Sequence, residues 1–151
     1  MKKYLGLTKG QCLGNEEIVG NLDLSNLGVI PNDFNPMVRG NLYLHSVTNV
    51  PRGFSPRVQG GLNLESLRWI PEGFSPVVGG SLDLESLESI PEGFSPIVGG
   101  NLYLNSIKNI PEWFIPRVFG WLVYNNRKTW MKVDKIKDNE YVLMSHYKLF
   151  N

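Results

Sequence analysis

The chain has a single cysteine, Cys12, so no disulfide can form within it and its fold must rest on packing alone. Its two histidines, His45 and His146, do not sit at ligand spacing with cysteine or carboxylates, which argues against a zinc site. No apolar run approaches the roughly 20 residues that a membrane helix needs. Lys2 and Lys3 are followed only by Tyr4-Leu5-Gly6-Leu7, far too short for a secretory h-region. The net charge is +1, which supplies no broad basic field for nucleic acid or anionic lipid. A soluble protein of a reducing, cytoplasmic compartment is expected, with Cys12 acting as a small apolar residue of an N-terminal cap. Chemical motifs are scarce as well. There is no phosphate-cradling G-x-x-x-x-G-K-(S/T), and no Ser–His–acid set can be assembled. Neither an enzyme nor a cofactor is expected.

What the chain does have is a repeat. Gly20, Gly40, Gly60, Gly80, Gly100 and Gly120 recur at a spacing of 20. All 10 prolines fall in two columns at that spacing, Pro31 to Pro111 and Pro36 to Pro116. Each unit reads G-x-L-x-L-x-(S/N)-L-x-x-I-P-x-x-F-x-P-x-V-x, with no insertion. Such a period marks a solenoid, in which no unit can bury its apolar face without its neighbours.

Each column has a physical reading. The alternation Leu42-Tyr43-Leu44 is a short strand with leucines inward and the middle residue outward. The glycine before it serves a corner that needs positive φ or close backbone approach. Val47 and its equivalents turn back into the core, and Val50, Ile70 and Ile90 precede proline, which bars a helix from that corner. Pro91-Glu92-Gly93-Phe94-Ser95-Pro96 is typical of a return arm that predicts polyproline or a single 3₁₀ turn. Phe34, Phe54, Phe74, Phe94 and Phe114 form an aromatic ladder, and Ile18 and Val38 to Val118 close each coil. The column Asn26, Ser46, Ser66, Ser86 and Ser106 is expected to be a buried polar ladder that satisfies the backbone at the bend.

Units such as Ser86-Leu87-Glu88-Ser89-Ile90-Pro91-Glu92-Gly93-Phe94-Ser95-Pro96-Ile97-Val98-Gly99-Gly100 resemble the "SLTSIPEGFNPTVGG" leucine-rich-repeat-like proteins of gut bacteria and their phages. The resemblance covers residues 20–120. It implies a mainly β, right-handed solenoid of parallel short strands with non-helical return arms, ligand binding that is usually to protein, and no catalytic residues. The usual L-x-x-L-x-L-x-x-N-x-L spacing is not met, so a curved horseshoe and a straighter β-solenoid both stay open.

The predicted organisation is an N-terminal cap over 1–19, five repeats over 20–119, and a last strand with a C-terminal β cap over 120–151. In the cap, Thr129–Ile136 and Glu140–Phe150 read as strands of an antiparallel hairpin turning at Lys137-Asp138-Asn139. A second turn is expected at Asn125-Asn126. This segment is also where basic residues gather: Arg127, Lys128, Lys132, Lys135, Lys137 and Lys148.

Function should lie where the repeat varies. The outward strand positions read Asp23, Tyr43, Asn63, Asp83, Tyr103, Val123, and the next ones Ser25, His45, Glu65, Glu85, Asn105, Asn125. Tyrosines flanked by carboxylates are suitable interface anchors, so Asp23, Tyr43, His45, Glu65, Asp83, Glu85 and Tyr103 are candidates for partner binding. Trp69 stands alone in a column of Val29, Asn49, Ser89 and Asn109, beside Arg68, and is another. In the fifth coil polar or glycine positions become Trp113, Ile115, Phe119 and Trp121, which reads either as the seat of the C-terminal cap or as a hot spot for another protein or a second copy. Glu72, Glu92 and Glu112 read as a solvated edge.

The leading expectation is a non-catalytic protein–protein interaction module. By resemblance and size alone, it would be a phage- or bacterium-encoded binder or inhibitor of a host protein, such as a defence protein. A structural protein of a virion or surface layer, and a carbohydrate-binding solenoid, are the alternatives. No membrane partner is expected, nucleic acid is disfavoured, and self-association through the C-terminal coil stays open.

Overall fold

The computed structural model describes residues 6–130. After a one-turn helix α1 (Lys9–Cys12), the chain alternates between two sheets. In order the strands are β1 (Glu17–Ile18), β2 (Leu22–Asp23), β3 (Met37–Val38), β4 (Leu42–Tyr43), β5 (Arg57–Val58), β6 (Leu62–Asn63) and β7 (Val77–Val78). They continue with β8 (Leu82–Asp83), β9 (Ile97–Val98), β10 (Leu102–Leu104), β11 (Arg117–Val118), β12 (Trp121–Tyr124) and β13 (Arg127–Trp130). The odd strands from β1 to β11 form a 6-stranded sheet, and the even strands together with β13 form a 7-stranded one. Every pairing is parallel and joins equivalent positions of successive units, such as Leu62 with Leu82 and Val58 with Val78, except that β12 pairs antiparallel with β13. The molecule is a β-solenoid.

The first sheet is a correction to the expected single strand per coil. Ile18 and the valine column do close each turn, but they do so inside strands of their own. Two-residue strands leave almost no alternation to read, which is why only the valine stood out.

Three kinds of corner bend each coil. At the first, Gly80 N–H donates to the Gly60 carbonyl at 2.9 Å, rung to rung. A Cβ on Gly80 would stand 2.8 Å from the Gly60 carbonyl carbon, so close backbone approach demands glycine there. An amide ladder follows this corner: Asn21 Oδ1 accepts from Asn41 N–H at 2.8 Å, Asn41 Oδ1 from Gly61 N–H at 2.7 Å, and Asn101 Oδ1 from Trp121 N–H at 2.9 Å. At the second corner a backbone turn closes Leu64 to Leu67 at 3.0 Å, and likewise in the other units. That bond does what the serine column was expected to do. Asn26, Ser46 and Ser106 are exposed and Ser66 and Ser86 half-buried, so the buried ladder expected of them is absent, and no polar residue is buried among those described. The third corner is a turn from Pro71 to Phe74, closed at 3.2 Å, in which Gly73 takes φ +82°. A left-handed glycine at the third of the four positions, with no positive φ at Glu72 before it, makes this a type II turn, not the polyproline or 3₁₀ arm expected. Asp33 fills the same left-handed position in the first unit.

Leucines, valines and phenylalanines fill the interior as one cluster. The rings of Phe54, Phe74, Phe94 and Phe114, four of the five expected in the ladder, stack at 6.0, 5.9 and 5.7 Å, and Phe34 is buried in the same cluster.

At the N-terminus, α1 is a helix that was not expected. Thr8 Oγ1 accepts from Gln11 N–H, and Gln11 Oε1 from Thr8 N–H, both at 3.0 Å. The pair Thr8-x-x-Gln11 was the available signal. Cys12 lies buried at its end, 3% exposed, and burial pushes its thiol up. At the other end, Asn125 and Asn126, at φ +46° and +56°, turn β12 into β13. Two successive left-handed residues make the type I′ hairpin that suits antiparallel strands. The further hairpin expected around Lys137-Asp138-Asn139 lies outside the described residues.

The two glycines predict different penalties. Gly73→Ala meets no neighbour and should cost about 1 kcal/mol from its positive φ. Gly80→Ala must push two rungs apart and should cost about 2–3 kcal/mol. Urea unfolding of both variants checks the order, and a larger loss at Gly73 contradicts it.

Candidate partner-binding site

Parallel register brings Asp23, Tyr43, Asn63, Asp83 and Tyr103 side by side on the outer face of the second sheet. His45, Glu65, Glu85 and Asn105 follow two residues later in their own coils. The face therefore unites seven of the predicted residues: Asp23, Tyr43, His45, Glu65, Asp83, Glu85 and Tyr103. Val123, the sixth member of the outward column, departs from it and is 7% exposed, flanked by Tyr103 on one side and β13 on the other.

Two local devices hold these side chains. Where the column carries Asp or Asn, the side chain folds over its own strand end. Asp83 Oδ1 accepts from Glu85 N–H at 3.0 Å, Asn63 Oδ1 from Glu65 N–H at 3.1 Å, and Asp23 Oδ1 from Ser25 N–H at 2.9 Å. These are Asx turns. Where the column carries tyrosine, an asparagine two residues earlier donates to the phenol: Asn41 Nδ2 to Tyr43 Oη and Asn101 Nδ2 to Tyr103 Oη, each at 3.0 Å. Tyr43 also stacks on His45, with centroids 5.7 Å apart and planes at 11°. The supporting asparagines were missed, although Asn-Leu-Tyr-Leu occurs twice, at Asn41–Leu44 and Asn101–Leu104.

The middle of the face is electrostatically crowded. Burial, and the carboxylates of Glu85 and Glu65, push the Asp83 carboxyl up to about 6, against the lowering effect of the Glu85 N–H and His45. In the same column, Asp23 is held below its usual value by hydrogen bonds from Ser25, because it is exposed and has donors to itself. His45 Nδ1 lies 3.4 Å from Glu65 Oε1. Asn105 Nδ2 donates to Glu85 Oε1 at 3.0 Å, while Asn105 Oδ1 is buried and has no hydrogen-bond partner.

The other predicted residues lie elsewhere. Trp69 is 50% exposed on the side of the coil that carries the Val29–Asn49 bridge, beside Arg68, which lies 3.7 Å from Glu88. Trp113, 45% exposed, occupies the proline turn of the fifth coil and meets Phe114 edge-on at 6.3 Å; its neighbour Ile115 is 76% exposed. Phe119 and Trp121 are half-buried on either side of the Gly120 corner. Trp69 and Trp113 lie off the tyrosine face, whereas Trp121 follows Asn101 in register at its end and its N–H donates to Asn101 Oδ1.

Among the described residues, no group of His, Cys, Asp or Glu is placed to hold a metal ion, and no helix is long and apolar enough to cross a membrane. No protein-family model, curated protein or solved structure matches the chain.

Because the folded chain holds Asp83 above its ordinary range of 3.8, it keeps a proton that the unfolded chain releases between about pH 4 and 6. The contribution of Asp83 to stability is therefore present below pH 4 and lost as pH rises through about 6. Asp83→Asn should gain stability relative to the parent between pH 4 and pH 7. Urea unfolding at both pH values checks this, and an equal difference at the two contradicts it.

Proposed function

We propose that the chain is a non-catalytic protein-binding module whose recognition surface is the outer face of the second sheet. The observation that carries this reading is the tyrosine pair. Tyr43 and Tyr103 sit on the same rigid face, each fixed by its own asparagine. Side chains ordered in advance lose little entropy on binding, and tyrosine offers apolar area with a hydrogen-bonding tip. Regular columns build such a scaffold while the outward positions remain free to vary, which is how repeat proteins encode recognition. On the resemblance of the repeat to those of gut bacteria and their phages, the partner we propose is a protein of a bacterial host. A compact binder of this kind would act by occupying the surface of another protein, such as a defence protein.

The double substitution Tyr43→Ala and Tyr103→Ala removes both anchors. Anchors of this kind are commonly worth about 2 kcal/mol each. A tagged chain in bacterial lysate should retain one protein at fixed stoichiometry, and the double variant should lose at least 30-fold in affinity for it with its circular dichroism unchanged. If retention survives the substitution, the tyrosine face is not the surface. If the chain instead self-associates and Trp113→Gly with Ile115→Ser prevents it, the exposed fifth coil is the interface.

A further inference from the structure

The chemistry of the ligand can be read from what the face lacks. Its stretches 21–25, 41–45, 61–65, 81–85 and 101–105 hold Asp23, Glu65, Asp83 and Glu85 but no lysine or arginine. Several of its amide N–H groups are engaged within the face. Asn41 and Asn101 donate to the tyrosines, Asn63 Nδ2 lies between Glu65 and Asp83 at 3.4 and 3.5 Å, and Asn105 donates to Glu85. The middle of the face is rich in acceptors, the carboxylates of Glu65, Asp83 and Glu85. The tyrosine hydroxyls, which accept from asparagine, still have protons to give, and they stand at the two ends of the acidic strip.

Tyr43 and Tyr103 are three rungs apart, about 14 Å at the usual spacing of about 4.8 Å. An extended peptide covers that distance in about four residues. We propose that the face takes an extended protein segment bearing arginine or lysine, laid along the solenoid axis between Tyr43 and Tyr103, with the cationic side chain held by Glu65, Asp83 and Glu85. The tyrosine hydroxyls would donate to backbone carbonyls of that segment, and a guanidinium, which carries only donors, answers the surplus of acceptors. An arriving cation also relieves the mutual repulsion of the three carboxylates, which no lysine or arginine of the face offsets. A sugar brings acceptors along with its donors, and nucleic acid brings phosphates, so both fit this face less well. The proposal rests on the protein-binding reading and narrows it.

Fluorescence polarisation of the full chain with three labelled octapeptides tests it: alternating Gly and Arg, Gly and citrulline, and Gly and Glu. The Arg peptide should bind at least tenfold more tightly than either of the others. Glu65→Gln with Asp83→Asn and Glu85→Gln should erase that preference, and Tyr43→Phe with Tyr103→Phe should weaken binding several-fold, with circular dichroism unchanged in both. Glu72→Gln with Glu92→Gln and Glu112→Gln removes as many carboxylates from the proline-turn edge and should leave the preference intact. Equal binding of the Arg and citrulline peptides overturns the proposal, as does equal weakening by the two triple variants. If the Arg preference is absent while a captured protein still depends on Tyr43 and Tyr103, the cationic ligand is refuted and the protein-binding reading stands.

Discussion

Everything in this structure depends on one backbone constraint: each rung must hydrogen-bond to the residue 20 positions along the chain. The bond from Gly80 to Gly60, and the parallel pairs of Leu62 with Leu82 and Val58 with Val78, are instances of a single translation. With most strands only two residues long, no pair of rungs is stable alone. Stability accumulates by stacking, so the columns must repeat without insertion. Having no cysteine pair and, among the described residues, no long helix is then no handicap, because the repeat supplies the cross-links as rung-to-rung hydrogen bonds and a stack of phenyl rings.

That constraint explains what was legible in the sequence. Leucine, phenylalanine, proline and glycine columns exist because every rung poses the same packing problem, so their period and inward direction could be read directly. The misses have a common cause too. The first sheet was hidden because Met37–Val38 and its equivalents show no alternation beyond one residue. The serine column was misassigned because its neighbours, Leu64 and Leu67, close the bend with their own backbone, leaving Ser66 half-exposed with no buried group to satisfy. The true amide ladder, through Asn21, Asn41 and Asn101, is broken by Gly61 and replaced by Ser81, so it does not look like a column. In the cap, the short helix was signalled only by Thr8 and Gln11.

The candidate site divides in the same way. Its positions could be read, because any outward residue of a strand faces solvent. Its cohesion could not, since only the parallel register shows that Asp83 stands between Glu65, Glu85 and Tyr103. The same register separates Trp69 and Trp113 from that face. The regular columns carry the architecture, and the outward positions, which the architecture does not constrain, carry its chemistry: an acidic strip bracketed by two tyrosines that are held alike.

The rung constraint can be measured directly by comparing two deletions. Removing 81–100 joins Gly80 to Asn101 as Gly100 is joined now, and takes out one whole rung. Removing 81–99 takes out one residue fewer and puts every later column out of phase. The 20-residue deletion should retain the parent's circular dichroism and a single cooperative unfolding transition, and the 19-residue deletion should lose cooperative unfolding. If both deletions unfold alike, rung-to-rung translation is not what holds this chain together.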